Sequence, residues 1–248
     1  MGKYIHYCAD LTAFNDAYGS MSDDEPFVSY TADGYDLVTY SPALSNIQNA
    51  ANGYDYVDLD LPSGTLWATC NVGANSPTTI GDYFNWGDVI PYTSTEQNDY
   101  KWYSNGDYTK YNNVDGLTIV ELEDDAANYN MGGEWHIPSR KQINELKNNT
   151  TITFSGNNMK FTSLVDSSKY IILPAGNARN PRVSYGWARA VIWSSDCHYL
   201  SGTGGALDCY QNPPTWDNIA RCGACNVRGV LDRERKVYRM PRLPEVAE

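Results

Sequence analysis

Alternation of apolar and polar positions sets in at Tyr54. In YVDLDLPSGTLWATCNVG, Val57, Leu59 and Leu61 recur with period two, Pro62-Ser63-Gly64 supplies turn chemistry, and Leu66 to Val72 resumes the extended pattern, so the block is predicted as a β-hairpin. GDYFNWGD and the Tyr-, Asn- and Gly-rich stretch up to about Val114 hold no sustained period and read mostly as loop. Residues 119–130, IVELEDDAANYN, are compatible with a helix. The next helix is better marked: Ser139 as N-cap with Gln142 three positions on makes a capping box, Ile143 and Leu146 form the buried stripe, and Asn148-Asn149 close it. Short runs then alternate with turns, TITF, MKFTSL, KYIILP, AVIWSS, ALDCY and CNVRGV, each predicted as a strand. One or two helices among many short strands and long loops define the α+β class.

Residues 1–52 have a different texture, polar and turn-rich, with a short amphipathic helix expected at Ala9–Tyr18 and extended pieces after it. Such a segment cannot fill a core alone, and it is read as an attachment or oligomerisation segment, against the plainer alternative of a loosely packed extension. Residues 53–230 form the main domain. Residues 231–248, LDRERKVYRMPRLPEVAE, are a tail that wraps a neighbouring subunit, hangs free or is a cloning remnant, three readings the residues leave open.

Composition narrows the function. The 248 residues carry 20 Tyr and 7 Trp but 5 Phe, an excess of rings with a polar tip that suits interfaces as well as cores. Net charge is −12 and the pI about 4.6, which excludes a sequence-independent grip on phosphate backbones; no nucleic-acid partner is expected. No apolar run reaches the ~20 residues of a membrane span, so no membrane insertion is expected. The N-terminus lacks the apolar core of a secretory signal, and Met1-Gly2 is not followed by a myristoylation pattern, so synthesis and first folding are expected in the cytoplasm. Six cysteines, Cys8, Cys70, Cys197, Cys209, Cys222 and Cys225, in a chain of this length read as free thiols and not as a disulfide framework.

The blocks VDLDLPSGTLWATCNVGANSPTTIGDYFNWGD, DDAANYNMGGEWHIPSRKQINELKNNTT, IILPAGNAR, VIWSSD and NVRGV, in that order from about Tyr54 to Val230, closely resemble the paralogous C-type-lectin-like domains of gut Bacteroidetes and their phages. YCADLTAFNDAY with EPFVSYT is similar to the segment that precedes such domains in phage-encoded proteins. The resemblance implies a C-type-lectin-like fold of short mixed strands, one or two helices and long loops. It also implies kinship with variable proteins of diversity-generating retroelements, whose C-terminal part is rewritten at adenines to vary a ligand-binding face. Randomising both adenines of an Asn codon that ends in a pyrimidine excludes Lys, Glu, Met, Gln and Trp. From Tyr170 to Arg233, 64 residues hold no Lys, Glu or Met, where uniform scatter of the 22 in the whole chain places five to six. Gln211, Trp216, Trp187 and Trp193 then belong to the framework, and ordinary strand propensity accounts for part of the deficit. In this window six arginines face four aspartates, a net +2 in a chain of −12.

Cys222 and Cys225 in RCGACNVRGV admit three readings. Structural zinc needs four ligands, and no second C-x-x-C or paired His stands nearby, Cys197 and Cys209 being twelve apart and His198 alone. A redox dithiol needs its first Cys at a helix N-terminus, whereas CGAC runs straight into NVRGV. In the third, Cys197, Cys209, Cys222 and Cys225 occupy varied surface positions where cysteine is one permitted outcome; a disulfide between two of them stays open. His136 in GEWHIPS reads as a contact at a helix entry, and Gly202, Gly204 and Gly205 in SGTGGA as loop glycines. Glu121, Glu123, Asp124 and Asp125 read as a solvated helix face sooner than as an acid pair. The resemblance carries no calcium site here: QNPP at 211–214 and WDN at 216–218 are not the oxygen-ligand motifs of sugar-binding lectins, and no metal or cofactor is expected.

Without H-E-x-x-H, G-x-S-x-G or a phosphate-binding loop, catalysis is not expected. Recognition is assigned to side chains on loops held by a rigid sheet: Asn177, Arg179, Tyr185, Trp187, Asp196, Cys197, His198, Tyr199, Asp208, Tyr210, Asn212, Asp217, Asn218, Arg221 and Cys222. The expected function is a phage receptor-binding or adhesion protein on a tail or head fibre of the virion. Its partners are a host cell-surface protein or glycan, other virion proteins, and further copies in a homo-oligomer such as a trimer. The alternatives are a non-diversified bacterial surface binding module and a thiol enzyme using Cys222 and Cys225.

Overall fold

The computed structural model describes residues 53–155, 158–179, 189–198 and 202–232, together with the strand backbones 27–32, 35–40 and 236–240. In chain order the strands are β1 Phe27–Ala32, β2 Tyr35–Tyr40, β3 Tyr56–Asp58, β4 Leu66–Ala68, β5 Tyr83–Asn85, β6 Tyr103–Ser104, β7 Asp107–Tyr108, β8 Thr150–Ser155, β9 Asn158–Ser163, β10 Tyr170–Leu173, β11 Ala190–His198, β12 Thr203–Cys209, β13 Thr215–Ala220, β14 Ala224–Asn226, β15 Val230–Leu231 and β16 Lys236–Met240. Two helices, α1 Ala126–Met131 and α2 Arg140–Asn148, lie between β7 and β8. The chain is of mixed α+β class, mostly strands.

It divides into two compact units, one of residues 1–48 with 234–248, the other of 49–233. In the first, β16 pairs antiparallel with β2, Lys236 opposite Tyr40 and Met240 opposite Asp36, making a three-stranded sheet of order β1-β2-β16. The segment read as one tail is therefore split: Val230–Leu231 pairs with β4 in the larger unit, and 236–240 completes the sheet begun by the N-terminal hairpin. The helix expected at Ala9–Tyr18 lies outside the described residues.

The larger unit rests on a five-stranded sheet of order β13-β12-β11-β14-β5, with β11 and β14 parallel and the other neighbours antiparallel. A second sheet, β10-β9-β8, is antiparallel; in a third, β4 pairs with both β3 and β15. The predicted hairpin is β3–β4, with Val57 opposite Trp67 and Gly64 at φ 80° in its turn. The region read as loop contains β5, and TWDNIA, left without an element, forms edge strand β13. For α2 the capping box forms as the residues specify: Ser139 Oγ accepts from the Gln142 amide at 3.3 Å and Gln142 Oε1 from the Ser139 amide at 2.8 Å, while Ile143 and Leu146 are buried. Residues 119–130 divide into a 3₁₀ turn, Leu122–Asp124, and α1, because Asp125 stops the first and caps the second by accepting from the Asn128 amide.

Four indoles, Trp67, Trp86, Trp135 and Trp193, are at most 1% exposed. Two of them lace the large sheet across β14: Trp193 on β11 donates to the Phe84 carbonyl on β5 at 2.7 Å, and Trp86, just after β5, donates to the Ser194 carbonyl on β11 at 2.8 Å. Gly204 and Gly205, read as loop glycines, lie inside β12. A Cβ on Gly204 would meet Trp86 Cδ1 at 2.4 Å and one on Gly205 would meet Trp216 Cζ2 at 2.0 Å, so each glycine admits an indole against the strand.

The arginine of NVRGV is a tie between sheets. Arg228 is 0% exposed; its Nε donates to Asn71 Oδ1 at 2.8 Å, Nη1 to the Ala68 carbonyl at 2.8 Å and Nη2 to the Ile172 carbonyl at 2.7 Å. Burial lowers its pKa, and three neutral acceptors offset the loss of water. Replacing Arg228 by Ala strands those acceptors and opens a cavity; we expect a loss of about 3–5 kcal/mol in urea unfolding, with Arg228→Lys recovering less than half because an ammonium does not span three directions.

Candidate functional site

The residues assigned to recognition do not converge on one patch. β11 and β12 form a hairpin, with Ala190 opposite Cys209 at one end and His198 opposite Thr203 at the other, and nine residues of strand separate the ends by about 26 Å. Asn177, Arg179, Tyr210 and Asn212 gather at the first end. Asp196, Cys197 and His198 belong to the second, while Asp217 and Asn218 lie along edge strand β13. Tyr185, Trp187 and Tyr199 lie outside the described residues.

The first end is the better built. Asn177, at φ 57°, donates its amide to the Arg189 carbonyl at 2.9 Å, and its Oδ1 accepts the Arg189 amide at 2.8 Å, which fixes the chain on both sides of 180–188. Arg189 Nη1 meets Asp208 Oδ2 at 2.6 Å, and its guanidinium lies 5.7 Å from the Tyr210 ring centre. Arg179 exchanges two backbone hydrogen bonds of 2.7 Å with Ala224 and lays its exposed guanidinium over Tyr83 at 4.8 Å. Tyr83 donates to the Gly176 carbonyl; burial pushes its pKa up while Arg179 pulls it down. Asn212 Nδ2 donates to the Ile152 carbonyl at 2.9 Å, joining this end to β8. The exposed residues are Arg179, Tyr210 and Asn212, with Asn177 half-buried, a mixture of cation, aromatic and amide on a stiff backing.

At the second end Asp196 is engaged: its Oδ2 accepts the Arg140 amide at 2.6 Å and the Ser194 hydroxyl at 2.9 Å, holding β11 to the start of α2. Cys197 donates its amide to the Thr118 carbonyl at 2.8 Å, and burial pushes its thiol up to about 11. His198 is exposed. On β13, Asp217 Oδ1 accepts the Asn218 amide at 2.8 Å.

Three assignments are corrected. Asp208 is 1% exposed, Arg221 0% and Cys222 5%, so none stands on an open face. Asp208 shares a face of β12 with Ala206, which packs among Trp86, Trp193 and Ile219, so it points inward and pairs with Arg189. The varied-surface reading of the cysteines fails likewise: Cys225 sits at 0% exposure opposite Phe84, and Cys209 at 2% among Leu207, Ile192 and Ala190. Burial holds both thiols far above their ordinary range, the opposite of what a nucleophile or metal ligand needs. The local +2 is no surface feature either, since Arg189, Arg221 and Arg228 are inside.

The acidic run also differs from its reading. Glu121 and Glu123 are exposed, but Asp124 and Asp125 are buried; Asp125 caps α1 and also accepts the Ile137 amide at 2.8 Å. Glu121, Glu123 and Asp124 form the one cluster among the described residues with spacing for a metal ion. Lys110 Nζ already sits among them at 2.6, 3.0 and 2.7 Å, with Lys101 on Asp124 at 2.8 Å and the Tyr111 hydroxyl on Asp124 at 2.7 Å. Two ammonium groups thus occupy the place of a cation. His136 shares a two-bond bridge with Val230 immediately before α2, as a contact at a helix entry.

Two features escaped the sequence reading. Arg189 carried no signal, since its partner Asp208 is nineteen positions away. The hairpin β6–β7 had one: Tyr103-Ser-Asn-Gly-Asp-Tyr108 centres on Asn-Gly, and Asn105 and Gly106 adopt φ 53° and 90°, as a two-residue hairpin turn requires. No protein-family model, curated protein or solved structure matches this chain.

Two outcomes are expected. Brief alkylation of the native protein, mapped by mass spectrometry, labels Cys70 and Cys197 first and reaches Cys209, Cys222 and Cys225 only on unfolding; rapid labelling of Cys225 contradicts the packing. Burial pushes Asp208 up to about 6 against the pull of Arg189, so the folded state binds this proton more tightly than the unfolded chain, and that contribution is complete below pH ~4 and lost as pH rises through 6. Between pH 4 and 7 wild type should therefore lose about 2 kcal/mol relative to Asp208→Asn, measured by urea unfolding across the range.

Proposed function

We propose that this chain is a non-catalytic receptor-binding or adhesion protein of a phage. Its larger unit, in this reading a C-type-lectin-like domain, presents the end of the large sheet that carries Arg179 and Tyr210 to a host surface protein or glycan without calcium. The observation that carries the placement is the union of exposed recognition groups with a rigid support: Asn177 and Arg189 clamp the chain, Ala224 clamps Arg179, and Asn212 is tied to β8. Cation, aromatic and amide groups held this way lose little conformational freedom on binding. The first unit, in which both chain ends share one sheet, is assigned to virion attachment or oligomerisation, and several copies would add avidity to weak single contacts.

The buried positions favour a second version, a binding module without diversification. β11, β12 and β14 are almost wholly buried, and burial by itself excludes Lys and Glu from such strands. In the version whose face is diversified by a retroelement, rewriting is confined to exposed sites such as Arg179, His198, Tyr210, Asn212 and Asn218.

Binding of the purified protein to host cells tests the site. The double variant Arg179→Ser with Tyr210→Ser should bind at least ~10-fold more weakly with unchanged thermal unfolding, since two anchors of ~1 kcal/mol each are removed; chelation of calcium should change nothing. Undiminished binding by the double variant, together with its loss in His198→Ala, would move the site to the other end of the sheet. A neighbouring reverse-transcriptase gene with a template repeat differing at adenines decides between the two versions.

A further inference from the structure

Among the described residues three guanidinium groups are buried in the larger unit, and one is treated differently from the others. Arg228 directs its donors to three oxygens, and Arg189 meets Asp208. Arg221, 0% exposed, donates from Nη1 to the carbonyls of Lys110 at 3.2 Å and Tyr111 at 3.0 Å, while its Nε and Nη2 meet no acceptor in good hydrogen-bond geometry, the Tyr108 hydroxyl being near enough to act on the guanidinium. Among the described residues no carboxylate forms an ion pair with it. An unanswered donor on a charged, desolvated group costs more than a neutral one, and such groups in folded proteins call for an explanation. The pattern of free donors is specific: Nε–H and the adjacent Nη2–H are the two parallel donors of one guanidinium edge, the pair that grips a carboxylate through both oxygens.

The position is held and covered. The Arg221 amide donates to the Gly202 carbonyl at 3.1 Å, and its carbonyl accepts the Trp86 amide at 3.0 Å, so the backbone is fixed from both sides. Over the guanidinium lies the ring of Tyr108 at 3.9 Å, carried by the two-residue hairpin whose tip, Ser104 to Asp107, is exposed. Tyr108 is itself half-buried, and its hydroxyl reaches the Gly202 carbonyl at 3.2 Å. A Cβ at Gly202 would stand 2.3 Å from that hydroxyl, so glycine there lets the ring close down. β6 and β7 pair only with each other, so the hairpin that carries this aromatic shares no ladder with the large sheet.

We propose that Arg221 is a receptor for a single carboxylate group of a ligand, bound side-on by Nε and Nη2, with the Tyr103–Tyr108 hairpin as its cover. A singly charged planar group is favoured over a doubly charged tetrahedral one: two donors match two oxygens, and Asp115 and Asp196 lie close enough to act on neighbouring Cys197, as does Arg221. The site does not depend on the Arg179–Tyr210 face, whose variants leave it intact.

The test uses the full chain, with acetate as probe. The Arg221 Nε–H resonance is followed in ¹⁵N-labelled protein while sodium acetate replaces sodium chloride at constant ionic strength, and thermal unfolding is measured in parallel. The expected result is a saturable shift with an apparent Kd of about 1–10 mM, as suits so small a ligand, accompanied by a rise in Tm. Tyr108→Ala should tighten it about ten-fold by removing the competing closed state, and Arg221→Met should abolish the acetate-dependent rise in Tm. Equal responses to acetate and chloride in both wild type and Tyr108→Ala overturn the proposal, as does an acetate effect that survives in Arg221→Met. Should Arg221→Met not fold, the wild-type and Tyr108→Ala titrations decide alone. Glucuronate and N-acetylaspartate α-methylamide, each with one carboxylate, then separate an acidic sugar from an acidic side chain as the natural source; a gain over acetate for either supports the site, and weaker binding of both than of acetate overturns its assignment to a ligand carboxylate.

Discussion

Arg228 carries a positive charge into a region without solvent, where an isolated cation costs many kcal/mol, and the larger unit is arranged around answering its donors. Ala68 ends β4, Asn71 opens the turn after it, and Ile172 lies in β10, so one planar group, carried by the segment between β14 and β15, fixes the spacing between the β3–β4–β15 sheet and the β10–β9–β8 sheet. Neutral acceptors suffice because they are several and rigid. A carboxylate would bring its own desolvation cost and hold only one direction.

With that spacing set, the large sheet acts as a stiff plate. The reciprocal indole bonds of Trp86 and Trp193 lock β5 to β11 across β14, and Gly204 and Gly205 let Trp86 and Trp216 press close to β12. The exposed side chains stand on its perimeter: Arg179 and Tyr210 at one end, His198 at the other, Asn218 on the edge. The length of β11 keeps the groups at the two ends apart.

Legibility in the sequence followed the range of the interaction. The capping box of α2, the β3–β4 turn and strands β8 to β12 were legible because each is specified within a few residues, Ser139 and Gln142 being three apart; the single strand expected over CNVRGV is instead β14 and β15, with 227–229 in neither. β13 was not, because Asp217 and Asn218 are poor strand formers on an edge that only pairing with β12 creates. Three of the candidate site residues were misjudged by depth. Asp208, Arg221 and Cys222 have the chemistry of contact residues, yet whether a side chain at a strand position faces ligand or core depends on register and on what lies across it.

By itself the sequence determined the class of fold and the entry and exit of the main helix, both of them consequences of local pattern. Tertiary structure alone decided that the cysteines at 209, 222 and 225 are core atoms, that Arg189 finds Asp208, that the last strand joins the first hairpin, and that Arg221 lies beneath Tyr108 with one edge of its guanidinium unanswered. The physical reason is common to all four. Burial and partnership are relations between segments distant along the chain, and only closure of the sheets brings those segments within a hydrogen bond of one another.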